Sequence, residues 1–148
     1  MTRSFLMFSL IITTAVLKAQ EVVKWTFQAK FIADKTYEIH FTSTIQNPWH
    51  IYSQTSPEGG AFPTKIVFNK NPLVSIEGKV KEVGKVVSKY EVVFETTVKY
   101  FEGQADFVQK IKLKASAKTK LSGSIEFMAC NDEQCLPPKT INFSIPIQ

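Results

Sequence analysis

The chain has 148 residues, of which 44% are hydrophobic, 12% aromatic and 21% charged, and its formal net charge is +5. That is one domain's worth of polypeptide, apolar enough to bury a core and too apolar for a disordered tail. One long uncharged stretch, two cysteines and two histidines exclude a multi-span membrane protein and any metal cluster beyond a single site.

Residues 1–19 read as a signal peptide. Arg3 gives a positive start, and Phe5 to Leu17 is apolar, broken only by small hydroxyl residues. Leu17-Lys18-Ala19 presents a small residue at the cleavage position. The apolar run is shorter than the about 20 residues a membrane span needs, so no span is expected after cleavage; a retained N-terminal anchor is the alternative. The mature domain is then expected to cover residues 20–148 and to be exported. Without Arg3 and Lys18, sixteen basic residues face thirteen acidic ones, a net charge of +3, and no arginine remains. Phosphate recognition favours arginine's bidentate fork. Lys110, Lys112 and Lys114 alternate with apolar residues, the pattern of a solvated strand face. Nucleic acid is therefore not an expected partner.

After Gln20 the periodicity is two. Trp25, Phe27, Ala29 and Phe31 alternate with polar residues, and Tyr37, Ile39 and Phe41 with Glu38 and His40. Ile111 and Leu113, Ile125 and Phe127, then Ile141, Phe143 and Ile145 repeat the pattern. Such alternation predicts strands buried on one face. Breaks are expected at Asp34-Lys35, Asn47-Pro48, Pro57 to Gly60, Asn69 to Pro72, Gly103 and Gly123. Seven or more short strands without helices predict an all-β fold, a single immunoglobulin-like β-sandwich, with a closed barrel as the alternative.

No hydrolase elbow, phosphate loop or zinc-protease helix motif occurs. His40 alternates outward and is expected to be exposed. Trp49 and Tyr52 suit ordinary core filling. The chemistry then rests on Cys130 and Cys135, which an oxidising compartment would join. A ring this small gives about 2 kcal/mol by chain entropy, so it is a poor staple and a candidate redox centre. Strand phase sets Cys130 opposite Ile125, Phe127 and Ala129, with Glu126 and Met128. If the apolar set faces the core, Cys130 points outward within a partner's reach, unless a bulge intervenes. Leu136-Pro137-Pro138 stiffens the segment after Cys135 and keeps it out of a central ladder. Asp132 and Glu133, inside the ring, disfavour a thiolate, so exchange is expected mainly when a partner supplies the geometry.

The run from Cys130 to Pro138 resembles the active-site segment of the N-terminal periplasmic domain of the thiol-disulfide interchange protein DsbD. Trp49 to Gln54, Gly59-Gly60, Pro63-Thr64, and Tyr90 to Phe107 with its Val93-Phe94 and Tyr100-Phe101, are similar to that family too. The similarity spans about residues 21 to 147. The resemblance implies an immunoglobulin-like fold and a periplasmic electron relay, a protein-disulfide reductase or interchange component without cofactor. In the family, a thioredoxin-like domain supplies the electrons. Exported oxidoreductases receive them, among them disulfide isomerases and cytochrome c maturation thioredoxins. Cys135 matches the cysteine that forms the mixed disulfide, and Cys130 the resolving one. The cap that shields the pair maps to Tyr90–Glu95, with Phe94 as lid and Tyr52 beside the sulfurs. Four residues separate the cysteines here, where the best-known members have five. The chain ends at Gln148 without the family's membrane-spanning conduit or thioredoxin-like domain. The conduit is therefore expected on a separate polypeptide, with thioredoxin-like periplasmic proteins as partners of a monomer.

Two other readings remain at this point. One is an exported, non-enzymatic sandwich that binds another protein and keeps a structural disulfide. The other is a metal site made of two thiolates with His50, or a copper site with Met128, for which four ligands at a standard spacing are not evident.

Overall fold

Alternating side chains commit most of the described residues to extended backbone, because successive residues of a strand point to opposite faces. The computed structural model describes residues 21–148 apart from Glu58, Gly60, Ala61 and Val93. The signal peptide expected over residues 1–19 lies outside the described residues, as do Gly60 and Val93 of the resemblance.

The strands are β1 (Val23–Ala33), β2 (Thr36–Ile45), β3 (His50–Tyr52), β4 (Lys65–Phe68), β5 (Val74–Val83) and β6 (Val86–Glu91). They continue with β7 (Thr96–Glu102), β8 (Gln104–Leu113), β9 (Thr119–Phe127), β10 (Ala129–Cys130) and β11 (Lys139–Ile147). Among the described residues there is no helix, and so none long and apolar enough to cross a membrane.

All pairings are antiparallel. One sheet has the order β1-β2-β8-β5. Facing it are two sheets rather than one, β11-β9-β4 and β10-β3-β7-β6, with Met128 alone separating β9 from β10. The first sheet keeps β1 and β5 as open edges, so the closed barrel is not formed.

Alternation places Ile39, Phe41, Phe107 and Ile111 of the first sheet in one core with Ile125, Phe127 and Phe143 of the second and Ile51 and Phe101 of the third. Aromatic rings join the layers. Phe41 meets Phe143 edge-on at 4.9 Å, and Trp25 lies 5.5 Å from Phe127. Contacts of this geometry add about 0.5–1.5 kcal/mol each beyond burial.

Asp34 and Lys35 form the expected turn between β1 and β2, both with positive φ, 38° and 60°. Such a pair matches the right-handed twist of a two-residue hairpin. Gly103, at φ 67°, turns the chain from β7 into β8. Gly123 departs from expectation: it sits inside β9, opposite Phe143. A Cβ there would lie 2.0 Å from the Val67 carbonyl oxygen and 2.6 Å from the Phe143 ring, so this glycine serves close packing and not a turn. Phe31 keeps its phase but is 61% exposed, with its ring edge-on to Tyr37 at 5.4 Å. His40 faces outward as expected yet is only partly exposed: its Nδ1 lies 2.6 Å from an Asp106 carboxylate oxygen that the local pattern did not foretell.

Candidate functional site

Cys130 and Cys135 are joined in a disulfide that closes a short hairpin. The two residues also bridge through their backbones, and Asn131 N–H donates to the Gln134 carbonyl at 2.9 Å. The Asn131 side chain completes the turn. Its Oδ1 accepts from Glu133 N–H at 2.9 Å and from Gln134 N–H at 2.8 Å. Asparagine is suited to this because its short side chain reaches the backbone two and three residues on. Leu136 N–H then donates to the Ala129 carbonyl at 2.9 Å, after which Pro137 and Pro138 carry no amide hydrogen.

The two sulfur-bearing residues differ in environment. Cys135 is exposed, whereas Cys130 is 1% exposed. The expected outward, reachable position of Cys130 is therefore corrected. Its phase is as predicted, since Ala129 enters the main core while Cys130 and Met128 turn the other way. That other side is covered. Tyr52 of β3 and Val98 and Tyr100 of β7 form a second, smaller core with Cys130, and Val87, Phe94 and Met128 pack against it. Because β10 continues past β9 into a different sheet, its outer face meets that sheet's aromatic residues in place of water.

A hollow of about 320 Å³ opens over this cluster. Cys130, Cys135, Tyr52 and Phe94 all line it, so the four residues singled out from the sequence meet in one place. Phe94 lies between β6 and β7, and its N–H donates to the Glu91 carbonyl at 3.1 Å. The next residue, Glu95, takes φ 51°, which bends the chain back into β7. Lys89 ties this hairpin to the ring: its Nζ lies 3.1 Å from Glu91 and 3.7 Å from Asp132. The Glu91 bond and charge hold the Lys89 ammonium above its usual range. Lys89 and Asp132 are exposed and Glu91 is half-buried, and such pairs orient more than they stabilise.

The sequence set His50 beside the cysteines only as a possible metal ligand, and the structure brings it there through strand pairing. In β3 it is the register partner of Cys130 on one side and of Glu102 on the other. Its ring lies 4.3 Å from that of Tyr100 and edge-on to Tyr52 at 5.4 Å. Burial pushes its pKa below the usual 6.5, while Glu102 and Asp132 pull the other way. Burial also raises Tyr52 and Tyr100 above the usual 10.0. A period-two reading signals only that His50 and Tyr52 share a face; the long-range register with Cys130 carries the rest. Asn131 was likewise unmarked, although an asparagine opening a four-residue loop is a recognisable turn former. Among the described residues no group of three or more His, Cys, Asp or Glu side chains converges in a way that would hold a metal ion.

No curated protein matches the sequence significantly. Two solved structures share the fold. The N-terminal periplasmic domain of ScsB from Proteus mirabilis has a TM-score of 0.58 at 11% identity, over 90% of this chain and 49% of that one. The chain thus spans about half the length of that relative. The DsbD N-terminal domain from Neisseria meningitidis, in its complex with the PilB N-terminal domain, has a TM-score of 0.51 at 13% identity over 88% of both chains. With this architecture the fold is an immunoglobulin-like β-sandwich. The family model described as "Thiol:disulfide interchange protein DsbD, N-terminal" matches residues 14–146. A sandwich that presents one cysteine pair in a short hairpin therefore belongs to the family of DsbD N-terminal domains.

Proposed function

We propose that this domain relays reducing equivalents in the periplasm, with Cys135 as the attacking and Cys130 as the resolving thiol. The observation that carries the reading is the pairing of an exposed Cys135 with a buried Cys130 at the rim of one hollow. In the reduced domain, the Cys135 thiolate attacks one sulfur of a partner's disulfide. A mixed disulfide forms and the partner's other sulfur leaves as a thiolate. Cys130 then attacks the Cys135 sulfur, the bond to the partner breaks, and the partner departs as a dithiol. The domain is left as the disulfide, to be reduced again with electrons from a membrane conduit.

Phe94 and Tyr52 act as the shield that limits exchange to partners able to displace or fit against them. Exported thioredoxin-like oxidoreductases are the partners this reading calls for, cytochrome c maturation thioredoxins among them. It is supported by family membership, by the periplasmic domain of ScsB as a structural neighbour, and by the complex in which the Neisseria DsbD domain meets PilB.

The test is trapping in the exporting cell. Cys130→Ala accumulates a mixed disulfide with an exported thioredoxin-like protein, and Cys135→Ala accumulates none. Equal absence of trapped partner in both, with a reduction potential well below about −300 mV, would instead identify an inert structural bridge in a binding module.

A further inference from the structure

We propose that His50 is the proton acceptor for the Cys130 thiol in the resolving step. The inference rests on the relay reading above and adds a residue to it.

Cys130 must lose its proton before it can attack Cys135, and it is enclosed by Tyr52, Val98 and Tyr100, where a bare charge is poorly solvated. The acceptor must therefore lie beside it. His50 is directly opposite Cys130 in the β3–β10 pair, and opposed residues carry their Cβ atoms about 4.5–5.5 Å apart on the same face. Both side chains line the one hollow. The other described histidine, His40, is engaged with Asp106 on the outer face of the first sheet.

The ring is held for the task. Tyr100 packs along it and Tyr52 meets its edge, which limits how far it can turn. The charged and titratable groups around it are Glu102 and Tyr100 on β7, Tyr52 on β3, Lys89 and Glu91 on β6, and Asp132 in the ring. Burial outweighs the acidic neighbours and keeps the imidazole neutral at neutral pH, with a lone pair available.

The step balances as follows. With Cys135 bonded to a partner's sulfur, the Cys130 S–H proton passes to a ring nitrogen of His50. The electron pair left on Cys130 forms the bond to the Cys135 sulfur. The Cys135–partner bond breaks with its electrons on the partner's sulfur, which takes the proton back from the imidazolium. Two thiols here become one disulfide, and the partner's disulfide becomes two thiols.

The probe is dithiobis(nitrobenzoate) with the reduced protein, followed by stopped flow across about pH 5 to 9. The first nitrothiobenzoate released reports attack by Cys135, and the second reports resolution by Cys130. In wild type the second phase slows as pH falls through an inflection below 6.5. In His50→Gln and in His50→Phe, which keeps a ring against Tyr100, the second phase is about 100-fold slower at neutral pH and lacks that inflection. The first phase is little altered in either.

Second phases in the folded variants that match wild type across the range would overturn the role of His50 and leave the relay intact. Should the variants fail to fold, the wild-type profile decides alone, since a second phase without the inflection overturns the proposal. Absence of the first release removes the relay reading and this inference together.

Discussion

Cys130 and Cys135 share one bond but not one environment: Cys130 is sealed beneath Tyr52 and Tyr100, and Cys135 stands at the surface. Once the bond is reduced, the two thiols should part company chemically. Iodoacetamide should label Cys135 roughly tenfold faster than Cys130, because access governs alkylation as much as thiolate fraction does. Peptide mapping over a time course reads both rates in one sample. Equal labelling would contradict the difference in burial.

Phe94 is held against the same small core from the β6–β7 hairpin. Phe94→Ala removes part of that cover and should raise the Cys130 labelling rate toward that of Cys135. As the ring is only partly buried, the stability loss should be about 1–2 kcal/mol. Denaturant melts give the second quantity, and an unchanged Cys130 rate would show that Phe94 does not shield it.

Asn131 prepares the hairpin for ring closure by accepting from two backbone N–H groups. In Asn131→Ala those donors turn to water, and the reduced loop samples more conformations before its sulfurs can meet. A net loss of about 1 kcal/mol corresponds to an approximately fivefold shift of the dithiol–disulfide equilibrium toward the dithiol. Equilibration with a glutathione couple measures it. No shift would mean the backbone bonds alone define the ring.

The acid limit of stability should carry a contribution from His50. Its folded-state pKa is lowered, so the stabilisation it represents is present above the ordinary 6.5 and is lost as pH falls through the lowered native value. The unfolded imidazole takes up a proton that the folded site resists. Unfolding free energies of the oxidised protein should therefore drop on acidification below 6.5, and His50→Gln should drop less over the same range. At the other extreme Tyr52 and Tyr100 are raised, so their contribution is present below 10.0 and is lost as pH rises through their native values. Parallel acid profiles for wild type and His50→Gln would exclude the first effect.

Much of the sandwich was readable because β2, β8, β9 and β11 bury one face strictly. Ile39 and Phe41, or Ile111 and Leu113, alternate with lysines and other polar residues. β5 and β6 escaped that reading. Each is an edge of its sheet, and Ile76, Val83 and Val86 on them remain exposed, so no buried stripe forms. At the site, the cysteine pair and the proline segment were evident from local sequence alone. The burial of Cys130 was not. Phase correctly turned it away from Ala129, but only the meeting of β10 with β3 decides that aromatic residues wait there. His50 depends on the same long-range pairing, which neighbouring residues do not encode.

The two prolines after Leu136 also limit how another molecule can hold on. β10 is the outermost strand of its sheet, and an outermost strand ordinarily invites an incoming backbone to zip onto it. Here the hairpin's return arm occupies that flank, and Pro137 and Pro138 then deprive the path of hydrogen donors. At this flank a companion would find little backbone to pair with and would hold by side chains and, on the relay proposed above, by one sulfur link. If the relay proposed above operates, an attachment of that kind lets go as soon as the sulfur link is resolved.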